Sequence, residues 1–190
     1  GAVRRAVRNT PITVDTTKAS VAARAIAAGA DAVNDVTGLQ GDPDMAAAVA
    51  KAGVPVIVMH NRDTADPAID IVADVTAFFA RSLEIAAKAG IAREMIVLDP
   101  GVGFGKTPEQ SMTVIAKLGT WNSFGLPLLV GASRKRFINT VIATEPQQRL
   151  PGSIAAHVLA VQNGAAIIRA HDVAETVQAL RVTDAIRGSI

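Results

Sequence analysis

PITVDTTKASVAARAIAAGADAVNDVTG, residues 11–38, is the stretch whose reading decides the fold class. Two short β-branched runs, PITVD (11–15) and DAVND (31–35), flank an Ala-rich segment of helical period. A strand, a helix and a second strand in so short a span make a βαβ unit. Its crossover helix leaves the two strands parallel. The Ala-Gly-Ala at 28–30 ends the helix, because glycine takes the left-handed cap conformation without a steric cost.

The pattern continues downstream. Strands are predicted at PVIVMH (55–60), EMIVLD (94–99), PLLVGAS (127–133) and AAIIRAH (165–171), with six helical stretches between and after the strands. Ala-Gly-Val (52–54) and Ala-Gly-Ile (89–91) close helices as Gly29 does. Asp42-Pro43 and Asp66-Pro67 predict an N-cap followed by proline at the first helical position. Thr107-Pro108-Glu109-Gln110 and Asp172-Val173-Ala174-Glu175 have capping-box spacing. NRDTAD (61–66) and ATEPQQRLPG (143–152) read as surface connections.

Six βα units predict an α/β fold of the TIM-type (β/α)8 barrel class, which closes with eight strands and typically ~250 residues. The opening GAVRRAVRNT reads as the end of a helix, so the two remaining units are expected upstream. The alternative is an open doubly wound sheet, whose mark is a switch in strand order. One domain over residues 1–190 is expected from the length.

Composition narrows the function. The chain is 49% hydrophobic but only 3% aromatic, so its core is built from Ala, Val, Ile and Leu. The net charge of +2 comes from scattered cations, which argues against a nucleic-acid partner. No cysteine is present, which removes disulfides, thiolate nucleophiles and Cys-ligated metals and makes a cytoplasmic location the expectation. No apolar run approaches the ~18 residues of a membrane span, so no membrane partner is expected.

In parallel α/β folds ligands bind beyond the carboxyl ends of the strands. Those ends are polar here: Asp15, Asn34 with Asp35, His60, Asp99, Ser133-Arg134-Lys135, and Arg169 with His171. Any one of them alone is more simply a helix cap or a solvated side chain. Recurrence at the same place in six units points to a binding mouth for a polar heterocycle carrying an anionic group. Arg169 and His171, two apart on an extended strand, share a face and suit a phosphate or diphosphate.

LDPGVGFGKTPEQ (98–110) resembles a phosphate-binding P-loop at Gly105-Lys106-Thr107, but Pro100 stands where that motif needs glycine. Its glycines read instead as a tight turn beside a flat ligand, with Phe104 available to cover a face. No second ligand stands at metal spacing from His171, so a protein-held zinc is not expected, whereas Mg2+ held mainly by substrate phosphates leaves little trace in sequence. GASRK lacks the G-x-S-x-G pattern of a hydrolase nucleophile.

Taken together, PITVDTTKASVAARAIAAGADAVNDVTG, VIVMHNRD, LDPGVGFGKT, LLVGASRKRFI and GAAIIRAHDVAETVQALRVTDAI resemble the dihydropteroate synthase family of pterin-binding barrels, in the family's order and over essentially the whole chain. The resemblance implies a transferase of folate biosynthesis. It would join 6-hydroxymethyl-7,8-dihydropterin diphosphate to p-aminobenzoate, releasing diphosphate and forming 7,8-dihydropteroate. By motif position it implies that Asp15, Asn34, Met59, Asp99, Phe104, Gly131 and Lys135 bind the pterin and that Ser133 approaches the aminobenzoate. Arg169 and His171 would hold the diphosphate, and Asp15, Lys135, Arg169 and His171 are the implied catalytic groups. It also implies Mg2+ as cofactor, with an Asn ligand on amino-terminal strands that have no counterpart in these residues, and a homodimer, for which SIAAHVLAVQ (153–162) could offer an apolar face. Two competing readings are a related pterin-binding methyltransferase, identifiable by corrinoid dependence, and a noncatalytic pterin-binding homologue.

Overall fold

The run VIVM is buried along its whole length as strand β3 (Val56–Met59) in the computed structural model, which describes residues 1–7 and 9–189. Continuous burial is what a parallel strand covered on both faces requires, and it explains why this run does not alternate with polar residues. The chain forms two compact units, Gly1–Asn61 with Val75–Asp99, and Arg62–Asp74 with Pro100–Ile190.

The first unit carries a short helix α1 (Ala2–Ala6), then β1 (Thr13–Asp15), α2 (Ala19–Ala27), β2 (Ala32–Asp35), α3 (Met45–Ala52) and β3. It is completed by α4 (Ile71–Ala89) from Val75 onward and by β4 (Ile96–Asp99). All four strands are parallel and lie in the order β1-β2-β3-β4, each beside its neighbour in sequence. Within this sheet there is no strand-order switch of the kind a doubly wound sheet shows. Register places Asp15 beside Asn34, two polar strand ends side by side, and Met59 beside Asp99. Val33, Val56, Val58 and Leu98 of the sheet, Met45 and Val49 of α3, and Val75 and Phe79 of α4 are all essentially without exposure. Ala22 of α2 is equally buried, its short side chain allowing close approach of helix and sheet.

The second unit contains α5 (Pro108–Ala116), β5 (Leu129–Val130), α6 (Arg136–Val141), α7 (Leu150–Gln162), β6 (Ile167–Ile168) and α8 (Val173–Arg187). β5 and β6 pair in parallel, Leu129 with Ile167 and Val130 with Ile168. Trp121, on a 3-10 segment after α5, is fully buried with Leu118, Val114, Leu128 and Val130 and supplies the aromatic bulk of this core. α5 begins as the sequence predicts. Thr107 Oγ1 accepts from Gln110 N (3.1 Å), Gln110 Oε1 accepts from Thr107 N (2.9 Å), and Pro108 occupies the first turn.

Several local expectations are corrected. The strands at 127–133 and 165–171 form ladders over two residues each: Arg169 N still donates to Val130 O (3.0 Å), but the chain then leaves the sheet. Glu94 and Met95 belong to a 3-10 turn, so β4 starts at Ile96. Asp42 does not cap α3; its carboxylate accepts from Ala19 N at the start of α2 (2.8 Å) and from Asp44 N (3.0 Å). Both backbone donors, Ala19 first, hold the Asp42 carboxyl below its ordinary pKa. Asp66 closes a turn with Ala68 N (2.9 Å), and α4 is capped instead by Asp70, which accepts from Val72 N (2.9 Å) and Ala73 N (3.1 Å). Asp-Pro opens a turn as readily as a helix, and here it opens turns. The stretch 143–152 ends inside α7, and the region between β5 and β6 holds two helices rather than one.

Candidate functional site

In the first unit, parallel register sets the site residues. Asn34, buried at the end of β2, donates through Nδ2 to Asp15 Oδ1 (3.1 Å), joining amide and carboxylate into one polar edge. Asp99 closes β4 with no exposure, and Met59, its register partner, is equally buried. A carboxylate in such a place is costly unless polar partners meet it, which marks Asp99 as a group retained for hydrogen bonding.

Two neighbouring strand ends are structural. Asp35 accepts from Thr37 N (2.9 Å), Thr37 Oγ1 (2.7 Å) and Leu39 N (2.8 Å), which folds the following turn around its carboxylate. His60 is 1% exposed and sets its ring edge-on to Phe78 at 4.8 Å. It fills the core rather than lining a pocket.

In the second unit, the glycine-rich loop after β4 faces protein. Lys106 Nζ donates to Gly101 O (3.0 Å) and Phe104 O (3.2 Å), so this lysine ties the loop to itself, which disposes of the P-loop likeness. Gly105 has φ +56, and a Cβ there would lie 2.1 Å from Arg62 O. Gly101, Gly103 and Gly105 all take positive φ, as a tight turn needs, and at Gly105 the missing side chain admits the Arg62 backbone. Phe104 is half-buried, and Lys135 Nζ lies 4.1 Å from its ring centroid, a cation-π contact that directs the ammonium group.

The loops after β5 and β6 are built together. A Cβ on Gly131 would stand 2.9 Å from an Arg169 guanidinium nitrogen, so the missing side chain is what lets that planar group lie against the backbone. Ser133, 5% exposed, accepts from His171 N (3.2 Å) and has its Oγ 2.9 Å from His171 Nδ1. The hydroxyl expected to approach an aminobenzoate is thus turned to the imidazole. Arg169 and His171 are both exposed and both lie past the end of β6, so a loop carries them instead of the expected strand.

Sequence reasoning missed Asp172 as more than a cap. Its carboxylate makes no capping bond; Arg134 Nε donates to Oδ2 (3.0 Å) and the guanidinium makes a second bond to Oδ1. The Arg134 hydrogen bond leads in holding the Asp172 carboxyl below its ordinary pKa, and the same bond raises Arg134. Capping spacing at 172–175 masked this partner, which lies 38 residues away in the chain.

The pterin binding enzyme family model matches residues 1–171. The chain belongs to that family. It is 40% identical to the dihydropteroate synthase of Bacillus subtilis over 176 residues, covering 93% of this chain and 61% of that protein. It therefore spans less than two thirds of the length of such relatives. Among solved structures, the Clostridium difficile dihydropteroate synthase determined in the presence of pteroic acid is 44% identical, with a TM-score of 0.92 over 96% of this chain and 70% of that one. The Xanthomonas albilineans enzyme with 4-aminobenzoic acid is 43% identical, with a TM-score of 0.92 over 97% and 68%. The fold class is that of these synthases, α/β of the TIM-barrel type.

Within this pterin-binding family chain, Gly131 is a direct test of how Arg169 is seated. Gly131→Ala pushes against the end of a flexible side chain, which yields, so the melting temperature stays within about 2 °C of the parent. If Arg169 holds diphosphate, as the sequence resemblance implies, the displaced guanidinium is expected to bind inorganic diphosphate about tenfold more weakly by calorimetry. An unchanged affinity refutes the role given to this contact.

Proposed function

We propose that the protein containing this chain is a dihydropteroate synthase, condensing 6-hydroxymethyl-7,8-dihydropterin diphosphate with p-aminobenzoate. The observation that carries the reading is the joining of the loops after β5 and β6 in the second unit, which supports an anion site. There Gly131 admits the Arg169 guanidinium and Ser133 fixes the His171 ring. The names of the relatives support the same activity.

Asp15, Asn34 and Asp99 supply carboxylate and amide groups to a pterin edge that alternates donors and acceptors, and Lys135 adds an ammonium donor. Each unmatched polar atom in a buried slot costs about 1 to 3 kcal/mol, so matching gives selectivity for the pterin. Met59, Phe104 and Gly131 are also assigned to the pterin, and Ser133 acts through the His171 ring that its hydroxyl meets. In the reaction the bond from the pterin methylene carbon to oxygen breaks, and diphosphate leaves with the electron pair. The aminobenzoate nitrogen forms the new bond to that carbon and gives up a proton. Arg169 and His171 stabilise the charge gathering on the leaving group, and no covalent nucleophile on the protein takes part.

Among the described residues, no group of three or more His, Asp or Glu side chains is placed to hold a metal ion. Mg2+ is proposed as a companion of the diphosphate, drawing its ligands mainly from phosphate oxygens, and the residues present are assigned no part in holding it. The same proposal includes one pterin-binding domain over residues 1–190, action in the cytoplasm and a homodimer. Exposed Val141, Ile142 and Leu159, beside an apolar groove between α5, α6 and α7, support the dimer. Among the described residues no helix is long and apolar enough to cross a membrane.

The full-length protein, given Mg2+ and the pterin diphosphate, is expected to release diphosphate only when p-aminobenzoate is present. Release that ignores the aminobenzoate, or none at all, defeats the assignment.

A further inference from the structure

We propose that Asp172 is a positioning residue, whose ion pair with Arg134 locks the loop after β5 to the loop after β6 and so holds Arg169 and His171 as an anion-binding pair. The proposal rests on the reading of these loops as the diphosphate site.

Arg134 is one of two non-glycine residues with positive φ among the described residues, at +56. Such a conformation costs about 1 to 2 kcal/mol for an L side chain, so it persists only where the surroundings hold it. They hold it on both sides. The backbone is gripped by the start of α7: Arg134 N donates to Ser153 Oγ (2.9 Å), and Arg149 donates to Arg134 O (3.1 Å). Ser153 and Arg149 are both buried, and Ser153 Oγ in turn donates to Arg149 O (2.8 Å), so this grip is itself anchored. The side chain is held by the two-pronged bond to Asp172.

The left-handed turn at Arg134 separates two residues already assigned to ligands. Ser133 on one side meets the His171 ring, and Lys135 on the other meets Phe104. His171 is the neighbour of Asp172, and Arg169 lies three residues before it, against Gly131. The ion pair therefore joins the β5 loop to the β6 loop beside the contacts of Gly131 with Arg169 and of Ser133 with His171. Asp172 also stands at the N-cap position of α8 yet makes no capping bond, giving up a contact that typically contributes ~1 kcal/mol. Its carboxylate is oriented for Arg134 instead. Planar two-point pairing fixes orientation as well as distance, which an exposed single-point contact does not.

The test uses the full-length protein and four variants: Asp172→Asn, Asp172→Glu, Arg134→Gly and the double variant Asp172→Asn with Arg134→Gly. Inorganic diphosphate affinity is measured by calorimetry, KM and kcat for the pterin diphosphate by diphosphate release, and folding by thermal melting. Asp172→Asn is expected to weaken diphosphate binding about tenfold and to raise KM for the pterin diphosphate more than it lowers kcat. Asp172→Glu restores part of the affinity because it keeps the charge. Glycine accepts the left-handed backbone without strain, so Arg134→Gly folds, and its loss of affinity matches that of Asp172→Asn. The double variant is no worse than either single one, since both remove the same pair.

Diphosphate affinity within twofold of the parent in Asp172→Asn or Arg134→Gly overturns the proposal, whatever happens to the melting temperature. Additive losses in the double variant overturn it too. Parent protein that binds diphosphate without aminobenzoate-dependent turnover defeats the proposed activity alone, and the affinity measurements still decide the role of Asp172. Parent protein that does not bind diphosphate defeats the reading of the loops and this proposal together.

Discussion

On the proposed activity, Arg169→Ala is expected to lower kcat/KM for the pterin diphosphate about a thousandfold and to leave folding almost untouched. The guanidinium is planar, permanently charged and matched to phosphate oxygens, so its removal takes charge-assisted hydrogen bonds from the leaving group as the carbon–oxygen bond lengthens. A lysine does not replace it, because a point charge lacks the fork. The folded state loses little, since Arg169 is exposed and its guanidinium rests in space that Gly131 leaves open, not in a packed core. The melting temperature is expected to shift by no more than about 2 °C. Steady-state kinetics beside thermal melting decides the matter: a large drop in melting temperature with turnover intact would mean that Arg169 serves the fold.

The second large effect is on stability. Gly105→Ala places a methyl group 2.1 Å from Arg62 O and 2.6 Å from Arg62 C, at a residue whose φ of +56 already disfavours a side chain. Backbone atoms cannot swing aside as a side-chain end can. The turn at 101–106 or the segment at 62 must move, and either movement disturbs the bonds from Lys106 to Gly101 O and Phe104 O. The strain and overpacking terms together predict a loss of about 3 kcal/mol or more. For a chain of this length that is a fall of roughly 10 °C in melting temperature. A loss below about 1 kcal/mol by chemical denaturation would show that the Arg62 backbone yields freely. The contrast with Gly131→Ala is informative, because there the obstructing atoms belong to a mobile guanidinium.

Much of the fold was legible in residues 11–38 and their successors. Alternation of β-branched runs with Ala-rich helical segments located all six strands among the described residues. The glycine at each Ala-Gly helix end takes positive φ, at 102, 64 and 82 for Gly29, Gly53 and Gly90. Thr107 could be read as a cap because its partner Gln110 is three residues away. Signals of this kind are local: propensity, period and capping act over one or two turns.

The misreadings share the opposite property. Asp42 and Asp172 each had a plausible local use as a cap, and each instead takes a partner far away in the chain, Ala19 N and Arg134. The glycines of 98–110 were legible as a tight turn, but not that the Arg62 backbone lies against Gly105. Asp35 and His60 had the same strand-end position as Asn34 and Asp99, yet Asp35 closes its own turn and His60 packs on Phe78.

By itself, then, the amino-acid order determined a parallel α/β chain with polar residues at its strand ends, because strand period and strand termini are properties of neighbouring residues; its motifs, by resemblance, pointed to the family. Only the tertiary structure decided which of those polar groups the protein consumes internally. It showed Asp35, His60 and Lys106 engaged with nearby backbone or core, Gly131 yielding its space to Arg169, and Arg134 joined to Asp172. A buried or half-buried polar group must find a partner, and which partner is within about 3 Å is set by the segments that packing brings together.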